Sequence, residues 1–348
     1  MNVIGTTFPA NHQYGPEEIE IFKSTADQIN EKFAGQRNLL INTTWFGPQF
    51  ANGEWEKVEK LIASNATFDN LFLLSVIDPV YLTEDDIKYL ESGLKTKSTY
   101  RIGMFDGSKL EWNFHSIVSA KHCRDLPADT LKLVDPVYTF LLYQRKPRRH
   151  RVELTRLLIE QGFNSKGIIT LGTNKNSSYD WTEGLGSELL AIDDPPGNYH
   201  HGNDKPDDFG GIPNDLVTLG RLDIWQRHFL NVASETEFNQ WHPRFVTEKT
   251  WKPIIGLRPF VIHGQSSVYS WLQNNGFQTF NHYWNHVPCE TGDDQHGNVV
   301  NVIDFLCSKS KAELTAMYAD MLPTLEYNRN RFFEFAQEQK HKMENLFV

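Results

Sequence analysis

Two stretches of this chain gather side chains able to hold a charged ligand. The first is Gln144-Arg145-Lys146-Pro147-Arg148-Arg149-His150-Arg151, six cationic or potentially cationic side chains in eight residues. It lies between the strand-like run Tyr138–Tyr143 and a helical face carrying Leu154, Leu157, Leu158 and Gln161. Arginine forks match phosphate oxygens and the positive end of a helix dipole adds to them, so a basic strand-to-helix turn suits an anion. A solvated basic loop is the plain alternative. The turn is not a P-loop, having no glycine-rich run before a Lys-Ser/Thr pair.

The second stretch is Asn231–Gly264. The apolar run His228–Ala233 stops at Ser234-Glu235, Thr247-Glu248-Lys249 opens a short helix, and Pro259–Ile262 is a second buried strand. Glu235, Glu248, Lys249 and Lys252 therefore gather where strand ends meet a helix N-terminus. In an open α/β sheet that edge is where ligands bind, and a helix N-terminus favours negative charge. Ordinary capping of a solvated helix start would use the same residue types.

The elements that position these residues alternate between helix and strand. Ile19, Phe22, Ala26, Ile29 and Phe33 recur at helical spacing, ending at Gly35; Trp55, Val58, Leu61 and Ile62 mark a second helix. Leu39-Leu40-Ile41, Asp69–Ile77 and Tyr100–Phe105 read as strands, and Thr83 with Asp86 as the capping box of a third helix. Beyond Asp135-Pro136 the pattern repeats, with Gly162 closing a helix and Lys166–Leu171 forming a strand. A helix over Ser266–Asn275, a strand-like Gln278–Phe280, two more helical segments and a last helix from Thr324 follow. Such alternation predicts parallel sheets covered by helices. The loop Gly184–Asp215 interrupts it; its His200, His201, Asp204, Asp207 and Asp208 fit no standard metal spacing and read as a polar loop.

Composition bounds the function. With 348 residues, 39% of them hydrophobic and 13% aromatic, the chain has room for two cored domains. A net charge of -10 argues against a large nucleic-acid surface. Cys123, Cys289 and Cys307 are too widely spaced for a metal motif or a disulfide framework, which suits a reducing cytoplasm. No signal-peptide pattern opens the sequence and no apolar run is long enough to span a bilayer, so a cytoplasmic protein is expected (host cytoplasm, if viral).

Phe245–Gly264, FVTEKTWKPIIGLRPFVIHG, resembles the donor-binding signature of fucosyltransferase-like glycosyltransferases. That signature has an acidic-Asn-Ser start, Tyr/Phe-Val-Thr-Glu-Lys, a small-residue turn and Pro-Val-Val. Phe245-Val246-Thr247-Glu248-Lys249 and Pro259-Phe260-Val261 match closely, Ser234-Glu235-Thr236-Glu237 loosely. The basic turn is similar to one in glycosyltransferases of phages and large viruses, just upstream of such a signature. The resemblance implies an α/β, GT-B-like fold, two Rossmann-like domains facing across a cleft. Residues 1–134 would form the acceptor side and 135–322 the nucleotide-sugar side, with 323–348 a C-terminal helix returning to the first domain. It further implies a sugar transfer that is metal-independent and inverting, needs no cofactor, and uses a GDP- or UDP-sugar donor and a glycan or other hydroxyl acceptor. By position, Glu248 would hydrogen-bond the ribose hydroxyls, Lys249 would sit near the diphosphate, and Arg145, Arg148 and Arg151 would neutralise the leaving pyrophosphate. His150, Glu235, Thr247 and Lys252 complete the donor set. The denser basic turn and Trp251-Lys252-Pro253 depart from the fucosyltransferase pattern and leave the donor open.

An inverting transfer needs a general base within hydrogen-bond reach of the acceptor hydroxyl. Asp78 and Asp106 stand at strand ends, with Glu111 and His115 nearby, although aspartate before proline or glycine is also a turn former. Thr44-Trp45-Phe46 would offer a stacking platform for a sugar, or core aromatics. Two other readings stay open: a non-catalytic nucleotide-binding module, and a phage-type glycosyltransferase acting on a DNA base, which needs a basic cleft.

Overall fold

The computed structural model describes residues 2–4, 15–43, 54–77, 82–105, 108–144, 148–171, 218–220, 222–238, 244–284 and 295–348. Contacts divide the chain into two compact units, one of 1–117 with 336–348 and the short piece 210–212, the other of 118–209 with 213–335. Among the described residues no helix is long and apolar enough to cross a membrane.

The first unit is built on a parallel sheet of β1 (Asn2–Ile4), β2 (Asn38–Asn42), β3 (Asn70–Ser75), β4 (Ser98–Gly103) and β5 (Leu110–Glu111), in that spatial order. Its helices are α1 (Gly15–Lys32), α2 (Glu54–Ala63), α3 (Glu84–Gly93) and the start of α4 (Phe114–Cys123). Alternation along the strands gives the sheet two apolar faces. Leu39, Ile41, Leu71 and Leu73 face Val58 of α2 and Ile87 and Leu90 of α3. On the other face Phe72 stacks on Tyr100 at 4.9 Å, and Phe33, just past α1, meets both edge-on. Phe347 joins that cluster at 5.3 Å from Phe33, and Gln28 of α1 accepts from Leu346 N–H, so the chain's last residues pack here. Thr83 and Asp86 make the expected reciprocal capping box. Gly103 has φ +90, and a Cβ there would collide with the Ser75 carbonyl, so the β3–β4 pairing requires glycine.

The second unit carries a four-stranded parallel sheet of β6 (Tyr138–Leu142), β7 (Gly167–Ile169), β8 (His228–Ser234) and β9 (Phe260–His263), in the order β7-β6-β8-β9. Around it lie α5 (Arg149–Glu160), α6 (Leu222–Trp225), α7 (Glu248–Ile255), α8 (Ser267–Asn274), α9 (Gln295–Cys307) and most of α10 (Lys311–Glu344). Gly162 ends α5 at φ +77, the left-handed position a helix C-terminus favours. Two local expectations change. Gln278–Phe280 forms no strand; the Asn328 side chain instead accepts from Gln278 N–H and donates to its carbonyl, both at 2.8 Å. The last helix starts at Lys311 rather than Thr324 and runs through Pro323, because Leu314, Tyr318, Met321 and Leu325 keep one face buried on both sides of the proline.

The two sheets differ in one respect that bears on ligand binding. In the first, strand order follows chain order without reversal. In the second, the chain leaves β6 for β7 on one side and returns to β8 on the other, so strand order reverses between β6 and β8. Ligands of open α/β sheets bind at the carboxyl ends of strands flanking such a reversal.

Candidate functional site

The carboxyl end of β8 is Ser234-Glu235, and both helix N-termini singled out in the sequence are tied to it. From α5, Arg151 is buried and its Nη2 donates to the carbonyls of Ser234 and Glu235 at 2.9 and 3.0 Å. His150 Nε2 lies 3.1 Å from the Glu235 carbonyl. Burial first, and the neighbouring Arg151 second, push its pKa down to about 3, so the ring is neutral and Nε2–H donates. From α7, Thr247 is the N-cap, accepting from Lys249 N–H, and its hydroxyl donates to Glu235 Oε2 at 2.5 Å.

Glu235 is the knot of this arrangement. Its carboxylate is fully buried and accepts from four donors: Thr236 N–H at 3.3 Å, Thr247 N–H at 3.1 Å, Thr247 Oγ1 and Thr250 Oγ1 at 2.6 Å. Such a carboxylate positions the start of α7 rather than meeting a ligand. The backbone is matched to it: Glu235 N–H donates to the His263 carbonyl, and a Cβ on Gly264 would stand 2.9 Å from Glu235 Cβ. Trp251 clamps the other side of α7, fully buried among Trp271, Phe277, Phe332 and Phe335 at ring distances of 5.4 to 6.0 Å.

Glu248 and Lys249 sit on the first turn of the helix so held. Lys249 Nζ donates to Glu248 Oε1 at 2.6 Å and lies within 3.4 Å of the hydroxyls of Thr247 and Thr236. Lys252, one turn on, is also buried. Its charge acts on the Cys123 thiol, whose pKa burial raises to about 12 while Lys252 opposes that rise. At the end of β6, Gln144 donates through Nε2 to Thr155 of α5 at 2.9 Å, and its buried Oε1 has no hydrogen-bond partner.

The structure thus brings together His150, Arg151, Glu235, Thr247, Glu248 and Lys249 around one strand end. It gives three of them other work than the sequence suggested: Glu235 holds the start of α7 instead of a ligand. Arg151 spends its Nη2 on backbone carbonyls, and His150 is held neutral, so neither acts as a mobile cation. Arg148 is exposed beside α5 and offers that helix no side-chain cap; Arg149 pairs with Glu153 at 2.8 Å. Arg145, Asp78, Asp106, Trp45 and the His200–Asp208 group lie outside the described residues. Glu111 is half-buried in β5 and His115 is buried in α4. Among the described residues no group of three or more histidine, cysteine or carboxylate side chains is arranged to hold a metal ion.

Sequence reasoning passed over Ser234, His263, His296, Glu153 and Gln144 as site residues. Ser234 and His263 are register partners on β8 and β9, and Ser234 Oγ lies 3.0 Å from His263 Nδ1. A histidine closing the strand FVIH was the available signal, but its neighbours come from three separate elements. Phe238 is stacked between His150 at 4.9 Å and His296 at 5.1 Å.

Fold and site together define a two-unit parallel α/β protein in which two helix N-termini meet the end of a strand at a strand-order reversal. No protein-family model, curated protein or solved structure matches the chain.

Proposed function

We propose that the protein is a glycosyltransferase of GT-B type that takes a sugar from a nucleoside diphosphate donor, held in the second unit. One observation carries the reading: the N-termini of α5 and α7 are both anchored to Ser234-Glu235 at the strand-order reversal, with Glu248 and Lys249 on the first turn of α7. The Thr-Glu-Lys match to the fucosyltransferase-like signature falls on that turn. In this reading Glu248 binds the ribose hydroxyls, and Lys249 exchanges part of its Glu248 contact for the diphosphate. The amides and dipoles of both helices face the phosphates, with Arg148 as the exposed cation and Arg151 as a fixed charge behind them. A departing nucleoside diphosphate gains charge in the transition state, and fixed positive ends that need no rearrangement stabilise that gain preferentially. The proposed donors are GDP- and UDP-sugars; the acceptor is a glycan or other hydroxyl compound, and the transfer inverting and metal-independent.

The test is incubation with a panel of GDP- and UDP-sugars and measurement of nucleoside diphosphate release. Release from at least one donor, lost in Glu248→Ala, is expected. Tight nucleotide binding without release from any donor would favour the non-catalytic module instead.

A further inference from the structure

A chain of polar side chains runs from the carboxyl end of β8 to the surface across four elements. Ser234 Oγ lies 3.0 Å from His263 Nδ1, His263 Nε2 lies 2.9 Å from His296 Nδ1, and His296 Nε2 lies 3.4 Å from Glu153 Oε2. Ser234 and His263 are fully enclosed, whereas the Glu153 side chain is 41% exposed. One end therefore sits at the carboxyl end of β8 and the other in water.

The hydrogen-bond directions follow from the outer end. An ionised Glu153 only accepts, so His296 carries its proton on Nε2 and presents a lone pair at Nδ1. His263 Nε2–H donates to that lone pair, and its own Nδ1 accepts from the Ser234 hydroxyl. One added proton from water makes both His296 nitrogens donors. A neutral His263 must then accept through Nε2, carry its proton on Nδ1 and donate to Ser234 Oγ. We propose that Ser234, His263, His296 and Glu153 form a one-proton relay, in which protonation of His296 leaves its bond to Glu153 in place, reverses the two hydrogen bonds inward of it and turns Ser234 Oγ from donor to acceptor.

The surroundings place the added proton on His296. Glu153 faces it from α5, with Arg149 bonded to the other Glu153 oxygen. Among the described residues, His150 of α5 and His263 of β9 also interact with it electrostatically, and Arg151 of α5 acts on both of those histidines. His263 is held neutral by burial and His150 likewise, so neither competes for the proton. Ser234 is also the residue whose carbonyl holds Arg151. The relay thus gives the ligand end of the sheet a pH input from solvent. It stands on the geometry of the site, whatever ligand that site takes.

Imidazole nitrogen NMR of the ligand-free full chain between pH 8 and pH 5 tests it. At pH 8 both His263 and His296 should carry the proton on Nε2. As His296 gains its second proton, His263 should switch to the Nδ1–H form with the same midpoint. Glu153→Gln should move both midpoints to lower pH together, and His296→Gln should abolish the His263 switch. A His263 tautomer that stays constant while His296 titrates in the unaltered protein overturns the relay. So do two distinct midpoints, or midpoints that Glu153→Gln leaves in place. Because no nucleotide is present, failure here is distinct from failure of the proposed function.

Discussion

Replacing Glu235 by alanine should detach α7 from the sheet edge. The carboxylate accepts four hydrogen bonds, three of them from Thr247 and Thr250 on the first turns of α7. Hydrogen bonds to a charged group contribute roughly 1.5–3 kcal/mol each, and a buried donor left unsatisfied costs roughly 1–3 kcal/mol. The terms are not additive, since removing the carboxylate also removes its own desolvation cost and the threonine hydroxyls can turn elsewhere. A net loss of about 3–5 kcal/mol is the expectation, as for other buried charged networks that lose one member. Glu235→Gln should cost about 1–2 kcal/mol: the retained carbonyl serves one pair of donors, and the amide demands an acceptor where two donors now point. Urea unfolding followed by tryptophan fluorescence measures both, provided the transition of the second unit is resolved from that of the first. If Glu235→Ala unfolds within about 0.5 kcal/mol of the parent, Glu235 does not organise α7.

Three other outcomes follow from the same packing and charges. Trp251→Ala empties a fully enclosed aromatic cage and should lower stability by about 3–5 kcal/mol, read as a lower urea midpoint with unchanged slope. Acid should destabilise the fold through its buried histidines. Below an ordinary pKa of 6.5 an unfolded His150 takes up a proton that the folded chain refuses until about pH 3, so stability falls as the pH drops through that window and nothing is lost above it. At pH 5.5 this one residue accounts for about 1.4 kcal/mol; His228 and His263, also held well below 6.5 by burial, act in the same direction. His150→Gln should flatten the pH dependence of the urea midpoint between pH 7 and pH 5.5, and an unchanged slope would contradict the burial argument. Lys249→Ala should weaken nucleoside diphosphate binding more than nucleoside binding, because its ammonium is assigned to the phosphates; equal losses for both ligands would count against that role.

Local signals in the sequence were easy to read because their physics is local. Thr83 with Asp86 and Gly162 behave as caps whatever surrounds them. The apolar strands of both sheets, and Glu248-Lys249 at the opening of a helix, follow from residue type and spacing alone. What stayed hidden depends on partners distant in sequence. β1 and β5 are three and two residues long and exist only because a longer neighbour pairs with them. Gln278–Phe280 reads as strand-like in the sequence, yet the backbone groups of Gln278 are satisfied by one asparagine from α10 and not by a neighbouring strand. In the site, the charges of Arg151, His150 and Glu235 were visible, but their inward orientation follows from the register of β8 beside β9 and the seat of α5 over β8. The serine-histidine-histidine-glutamate chain joins four residues spread between positions 153 and 296, a juxtaposition that periodicity cannot reveal.

Isothermal titration of the full chain with GDP and with UDP, repeated on Glu248→Ala, tests the central claim most directly. The account predicts saturable binding of at least one nucleotide by the parent chain and at least a tenfold weaker affinity in the variant, a change of about 1.4 kcal/mol or more. No binding of either nucleotide, or an affinity that Glu248→Ala leaves unchanged, would contradict it.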